Sequence, residues 1–129
     1  YQKGVRRLYL AASTGMETPI HIHRVFASIR ERWPDVEIGF HVHEKAGMAS
    51  ANMFAAILAG ATSVEGSICG IGGGIAMPKG TGDIGNLRTE DIVNMLNRAE
   101  IETGLDTEIV LSTAHEIRGI LDIQNRVDN

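Results

Sequence analysis

Two short apolar runs, Leu8-Tyr9-Leu10 and Ile38-Gly39-Phe40-His41-Val42-His43, and the short, partly β-branched Thr62-Ser63-Val64-Glu65 follow one another along the chain with helix-patterned sequence between them. Their starts recur roughly every 25–30 residues, the size of a strand–helix unit, and strands separated by helices pair in parallel. Two α/β architectures accommodate such units. A doubly wound sheet is self-sufficient but draws on about five strands. A (β/α)8 barrel runs to about 250 residues, so three units make only part of one. In either architecture the functional site gathers at the C-terminal ends of the strands.

The first strand is expected from Val5 to Ala12, before the loop Ser13-Thr14-Gly15. Thr18-Pro19 then reads as a helix start, with the hydroxyl capping free amides and the proline in the first turn. Ile22, Val25, Phe26, Ile29 and Trp33 give that helix one apolar stripe, which Pro34 ends. The second strand runs from about Val36 to His43. Gly47 opens a second helix, with Ala51, Phe54, Ala55, Leu58 and Ala59 on its inner side and Gly60 as the left-handed terminator. After the third strand, Thr62 to Glu65, the glycine-dense stretch from Gly66 to Gly85 reads as a loop longer than a connection requires, which signals function or mobility. Thr89-Glu90-Asp91 reads as an N-cap followed by two acids in the first turn, with Ile92, Leu96 and Ala99 inward. Asp106 caps a last helix whose Val110, Ala114, Ile117 and Leu121 face the core, and the tail from Asp122 is polar.

The chain has 129 residues, 43% of them hydrophobic and 22% charged, the composition of one globular domain, and residues 1–129 are expected to form a single segment. No apolar run approaches the roughly 18–20 residues of a membrane span, and no leader with a cleavage site is present, so a cytoplasmic location is expected. The single cysteine, Cys69, excludes an intrachain disulfide and reads as a small buried residue. Net charge is −4, and the only adjacent basic pair is Arg6-Arg7, so the electrostatic footprint of a nucleic-acid binder is missing. The first residue is Tyr1, and the chain is expected to be a piece or a processed product of something longer.

The second strand ends in His41-Val42-His43. On a strand these imidazoles share a face, and two imidazoles on one face can hold one metal ion; the alternative is a pair of ordinary polar residues at a strand end. His21-Ile22-His23 has the same spacing on a helix, where side chains two residues apart diverge, and these two histidines are expected at the surface, as is His115. Gly80-Thr81-Gly82-Asp83-Ile84-Gly85 spells a dinucleotide fingerprint, but no strand runs into its first glycine. The loop is either a plain connector or a flap over the histidines, with Gly70, Gly72, Gly73 and Gly74 leaving its backbone free to move and Asn86 returning it to the site. Lys45 and Lys79 are the candidates for contacting an anionic substrate.

Phe40-His41-Val42-His43-x-x-x-Gly47, Ala51-Asn52, Ala59-Gly60-Ala61, Glu65-Gly66-Ser67, Gly70-Ile71-Gly72-Gly73 and Gly85-Asn86-Leu87-x-Thr89-Glu90-Asp91 stand in this order and spacing. Together they resemble the C-terminal part of the DRE-TIM metallolyases. The last of them, with Thr103-Gly104-x-Asp106, is most similar to the 3-hydroxy-3-methylglutaryl-CoA lyase branch. The resemblance covers nearly the whole chain and implies three parallel strands with helices, forming the C-terminal portion of a TIM (β/α)8 barrel. It implies a divalent metal cation, Mg²⁺ or Mn²⁺, with His41, His43 and Asn86 as ligands. It further implies an aldol or Claisen-type cleavage of a hydroxyacyl-CoA or hydroxy-keto acid. Neutral imidazoles and an amide oxygen suit such an ion acting as a Lewis acid.

Three features depart from that pattern. Gly74 stands where the lyase has its catalytic cysteine, with Cys69 five residues too early. Ala12 replaces an acidic residue after the first strand, and nothing corresponds to the arginine and aspartate of the family's first barrel strand. The alternatives are a 4-hydroxy-2-oxovalerate-type aldolase giving pyruvate, which shares the His-x-His strand as do biotin-dependent carboxyltransferases, and a catalytically silent fragment serving as a subunit or interaction module. The missing N-terminal barrel half, or a second copy of the chain, is the expected partner.

Overall fold

The computed structural model describes residues 4–44, 47–72 and 85–127, from residue 121 on as backbone only. The elements are β1 (Arg7–Ala12), α1 (Pro19–Arg32), β2 (Glu37–Glu44), α2 (Ala49–Leu58), β3 (Ser63–Glu65), a single 3-10 turn (Ile68–Gly70), β4 (Gly85–Asn86), α3 (Thr89–Arg98) and α4 (Thr107–Val127). β2 is central, with β1 and β3 parallel on its two sides. This is the parallel strand–helix order expected of part of a barrel. The sequence pattern did not announce β4, which pairs antiparallel with β2 through His43↔Asn86 and Glu44↔Gly85.

The two faces of β2 have different fates because side chains alternate along a strand. Ile38, Phe40 and Val42 are fully buried under the helices, where the Phe26 ring of α1 meets Phe40 edge to face at 5.3 Å. Gly39, His41 and His43 look the other way. On that face the register sets Tyr9 beside Gly39 and aligns Ala11, His41 and Glu65 in one row across three strands. The row is therefore a direct product of parallel pairing.

Caps and terminators hold the helices in place. Thr18 Oγ1 accepts from the His21 amide, with Pro19 opening α1 as expected. The Arg30 guanidinium donates to the carbonyls of Val36 (3.0 Å) and Gly60 (2.6 Å), joining the end of α1 to the start of β2 and the end of α2. Gly60, at φ +97, ends α2 with the Gly60 amide on the Ile57 carbonyl and the Ala61 amide on that of Ala56. Asp106 Oδ1 caps α4 by accepting from the amides of Glu108 and Ile109.

Several expectations need correction. The buried face of α2 is Ala49, Asn52, Met53, Ala55 and Ala56, whereas Ala51 is exposed and Leu58 is 67% exposed. Alanines on every side of this helix leave hydrophobic periodicity nothing to discriminate. Thr89 is the first helical residue of α3, not its cap: its amide bonds the Ser67 carbonyl, which moves the boundary to Arg88. The stretch expected as loop from Gly66 contains the 3-10 turn, and α4 continues through the polar residues after Asp122 to Val127. Val110 and Ala114 are buried on α4 as expected, and Ile117 is half-buried. Among the described residues no helix is long and apolar enough to cross a membrane.

Candidate metal centre

His41 and His43 lie at the C-terminal end of β2, on the face turned away from the helices. Their Nε2 atoms come within 3.0 Å of each other, with the rings nearly perpendicular at 85°. His43 is 4% exposed. Burial first, and then the neighbouring His41, hold its pKa below the ordinary imidazole range, against a weaker upward pull from the Ser13 backbone and the Glu17 carboxylate. The neutral imidazole that metal coordination requires is thus the favoured form at neutral pH.

Asn86 reaches the same place by a different route. Its antiparallel pairing sets it directly opposite His43, and directly opposed residues present their side chains on one face. The side-chain Nδ2 donates to the Ile71 carbonyl at 2.8 Å, which turns Oδ1 the other way, buried and without a partner among the described residues. Gly70 and Gly72, at φ +71 and +90, make that approach possible: a Cβ on Gly70 would stand 2.9 Å from the Asn86 carbonyl oxygen, and one on Gly72 3.1 Å from Asn86 Nδ2. These two glycines therefore form a seat for Asn86. Gly73, Gly74, Lys45, Lys79 and the Gly80–Gly85 motif up to residue 84 lie outside the described residues.

Sequence reasoning assigned no role to three further residues, Glu65, Glu17 and Asn52. Glu65 Oε1 stands 3.4 Å from His41 Nδ1, beside it in the strand register. A carboxylate on that nitrogen favours the tautomer whose Nε2 lone pair is free for a metal. Parallel pairing of the two motif strands was the signal available for it. Glu17, in the loop after β1, accepts from the Thr14 hydroxyl through Oε1 at 3.0 Å, and its main-chain carbonyl accepts from Asn52 Nδ2 at 2.7 Å. Asn52 is fully buried. Placement after a strand's C-terminal end was the only sequence signal for Glu17.

The buried side-chain polar atoms without a hydrogen-bond partner among the described residues are Glu17 Oε2, His41 Nδ1, His43 Nδ1, Asn52 Oδ1 and Asn86 Oδ1. They fall in two linked sets, Glu17 with Asn52 through their hydrogen bond, and His41, His43 and Asn86 through the His41–His43 contact and the His43–Asn86 pairing. Buried polar atoms normally find partners, so a cluster of exceptions marks a polar centre. Two imidazole nitrogens and an amide oxygen suit a small divalent ion. Among the described residues no set of three His, Cys, Asp or Glu side chains stands ready to hold a metal.

The remaining candidates lie elsewhere. His21, His23 and His115 are exposed on their helices, as expected. Cys69 is half-buried rather than buried, at φ +58 in the 3-10 turn, with its amide on Glu90 Oε2 and its thiol on the Ala114 carbonyl. It forms a structural corner between the 3-10 turn, α3 and α4. Ala12 is buried in the apolar core and brings no charge to the site.

Comparison with known proteins places the chain in a family. The HMGL-like family profile matches residues 1–117. The hydroxymethylglutaryl-CoA lyase YngG of Bacillus subtilis is 36% identical over 114 residues, 88% of this chain and 37% of that protein. The 4-hydroxy-2-oxovalerate aldolase 1 of Azoarcus sp. strain BH72 is 35% identical over 127 residues, 97% of this chain and 34% of that protein. A crystal structure of the Bacillus subtilis HMG-CoA lyase superimposes with a TM-score of 0.81 at 34% identity, over 94% of this chain and 40% of that one. The chain thus spans little more than a third of the length of the relatives it matches.

Proposed function

The chain belongs to the HMGL-like family, and we propose that it is the metal-binding portion of a lyase that breaks a carbon–carbon bond next to a carbonyl. The observation that carries this reading is the approach of His41 and His43 through their Nε2 atoms at the C-terminal end of β2, with Asn86 Oδ1, buried and without a partner among the described residues, on the strand opposite. His41, His43 and Asn86 would hold a Mg²⁺ or Mn²⁺ ion. When bound, such an ion acts as a Lewis acid that draws electron density from the carbonyl beside the scissile bond. The chain's own residues keep the donors in place: Glu65 faces His41 Nδ1, the Ile71 carbonyl holds the Asn86 amide, and burial keeps His43 neutral.

The substrate that fits best is a hydroxyacyl-CoA of the 3-hydroxy-3-methylglutaryl type, on the Thr89-Glu90-Asp91 and Thr103-Gly104-x-Asp106 motifs and the superposition on the Bacillus enzyme. A hydroxy-keto acid cleaved to pyruvate is the second reading, favoured by an aldolase alignment that reaches 97% of this chain. Residues 1–129 act as one segment of the barrel, completed by an N-terminal half or a second copy. The test is an assay of the full polypeptide carrying this segment, loaded with Mg²⁺ or Mn²⁺. Cleavage of 3-hydroxy-3-methylglutaryl-CoA that is lost in His41→Ala is the expected result, and pyruvate from 4-hydroxy-2-oxovalerate selects the second reading. Cleavage of neither substrate by a metal-loaded protein overturns both.

A further inference from the structure

Resting on the hydroxyacyl-CoA reading above, we propose that Arg88 is a specificity residue of this site. Its guanidinium takes an anionic group that the substrate carries away from the scissile bond, either the free carboxylate or a phosphate of coenzyme A. A cavity of about 400 Å³ opens beside the metal centre, with Glu44, Ser50, Gly70, Asn86, Arg88 and Asp91 in its walls. Two of these adjoin the histidines directly: Glu44 follows His43 on β2, and Asn86 is paired opposite His43. The backbone aims Arg88 into the same space. Asn86 belongs to β4, and Arg88, extended at φ −72 and ψ 134, bridges Ser67 two residues later. Leu87 between them points into the apolar core, so alternation along extended chain returns Arg88 to the face of Asn86.

The guanidinium is held but not used up. Arg88 Cγ lies over Gly70, 3.1 Å from where a Cβ there would stand, and Nε donates to Asp91 Oδ2 at 2.7 Å. That ion pair fixes the plane of the group and leaves both Nη nitrogens without a partner among the described residues, a fork suited to a carboxylate or a phosphate. Of the two acids in the walls, Asp91 is engaged by Arg88, and Glu44 is exposed at the end of its strand. Ser50 lies in the first turn of α2 and Arg88 immediately before α3, so the positive ends of two ten-residue helices border the cavity and offset Glu44. Arg88 is the residue that the motif Gly85-Asn86-Leu87-x-Thr89-Glu90-Asp91 leaves open, so the family pattern assigns it no role.

Steady-state kinetics of the full polypeptide carrying this segment, loaded with Mn²⁺, test the proposal on three thioesters. They are 3-hydroxy-3-methylglutaryl-CoA, its N-acetylcysteamine thioester, which lacks the phosphates, and 3-hydroxy-3-methylbutanoyl-CoA, which lacks the free carboxylate. Arg88→Gln should raise KM for 3-hydroxy-3-methylglutaryl-CoA at least tenfold, with kcat within threefold of wild type and Mn²⁺ affinity unchanged. If Arg88 takes the carboxylate, the loss persists on the N-acetylcysteamine thioester and vanishes on 3-hydroxy-3-methylbutanoyl-CoA; if it takes a phosphate, the two results exchange. Either outcome supports the proposal. A KM change below threefold on every substrate overturns it, and so does an equal loss on all three, the mark of a merely structural role. Should Arg88→Gln fold poorly, Arg88→Lys decides, because it keeps the charge and loses the fork. KM raised at least threefold on the substrates that carry the group then supports the proposal, and KM unchanged on all three overturns it. A wild type that cleaves none of the three overturns the hydroxyacyl-CoA reading and this role with it, whereas cleavage indifferent to Arg88 overturns this role alone.

Discussion

A Cβ on Gly39 would stand 2.3 Å from Cε2 of Tyr9, whose ring lies across β2 on the same face as the two histidines. Tyr9 is 50% exposed, so the ring can swing aside, at the expense of its contact with the strand. Gly39→Ala should therefore cost about 1–3 kcal/mol of stability, and Tyr9→Ala in the same chain should remove most of that cost; a double-mutant cycle by urea unfolding measures the coupling. Two positions further along the face, Glu65 Oε1 stands 3.4 Å from His41 Nδ1. Glu65→Ala should lower Mn²⁺ affinity about tenfold with no change in fold, because outer partners of ligating histidines typically contribute at that level. Affinity equal to that of wild type would show that His41 is oriented by the strand alone.

At the scale of elements, α3, α4 and the 3-10 turn are tied at Glu90. Its buried carboxylate accepts from the Cys69 amide at 3.1 Å through one oxygen and from Arg118 at 3.2 Å through the other. Glu90→Ala leaves the Cys69 amide without its acceptor and should cost about 1–3 kcal/mol, read from the urea midpoint. Cys69→Gly should be milder, since it relieves φ +58 while losing only the thiol contact with Ala114. The end of α3 invites the opposite experiment. Glu100 sits at φ +57, with its amide on Asn97 and the next amide, Ile101, on Leu96, the arrangement in which α2 uses Gly60. Glu100→Gly should raise stability by about 1 kcal/mol, the usual penalty for a side chain in left-handed backbone.

In the whole molecule, the row Ala11, His41, Glu65 and the Tyr9 ring belong to a sheet face that the helices do not cover, and β1 forms an edge of the sheet. An open edge presents unpaired backbone donors and acceptors, and a barrel removes it by closing the sheet on itself. The relatives are more than twice as long, and the superposed lyase places this segment within a larger chain. The isolated 129 residues should accordingly bind Mn²⁺ weakly and self-associate, and addition of a polypeptide supplying the rest of the barrel should restore monodispersity and raise affinity. Calorimetry beside light scattering checks both. Tight binding by a monomeric 129-residue chain would contradict this view.

Sequence by itself determined what depends on local period and local chemistry. The two-residue repeat of a strand sets His41 and His43 on one face. Thr18-Pro19 opens α1, Asp106 caps α4, and Gly60 ends α2, each through atoms within a few residues of one another. The spacing of strands and helices likewise dictates parallel pairing, and the ordered motifs carry the family. Tertiary structure decided what depends on partners distant in sequence. α2 turns Asn52 inward because its amide meets the Glu17 carbonyl, a contact that no helical period in an alanine-rich segment can announce. Thr89 is drawn into its helix by the Ser67 carbonyl, and two residues of β4 are too few to show alternation before pairing with β2 brings Asn86 to His43. Glu65 joins the centre only through the strand register that carries it there, since an acid at a strand end looks like solvated charge until the chain folds around it.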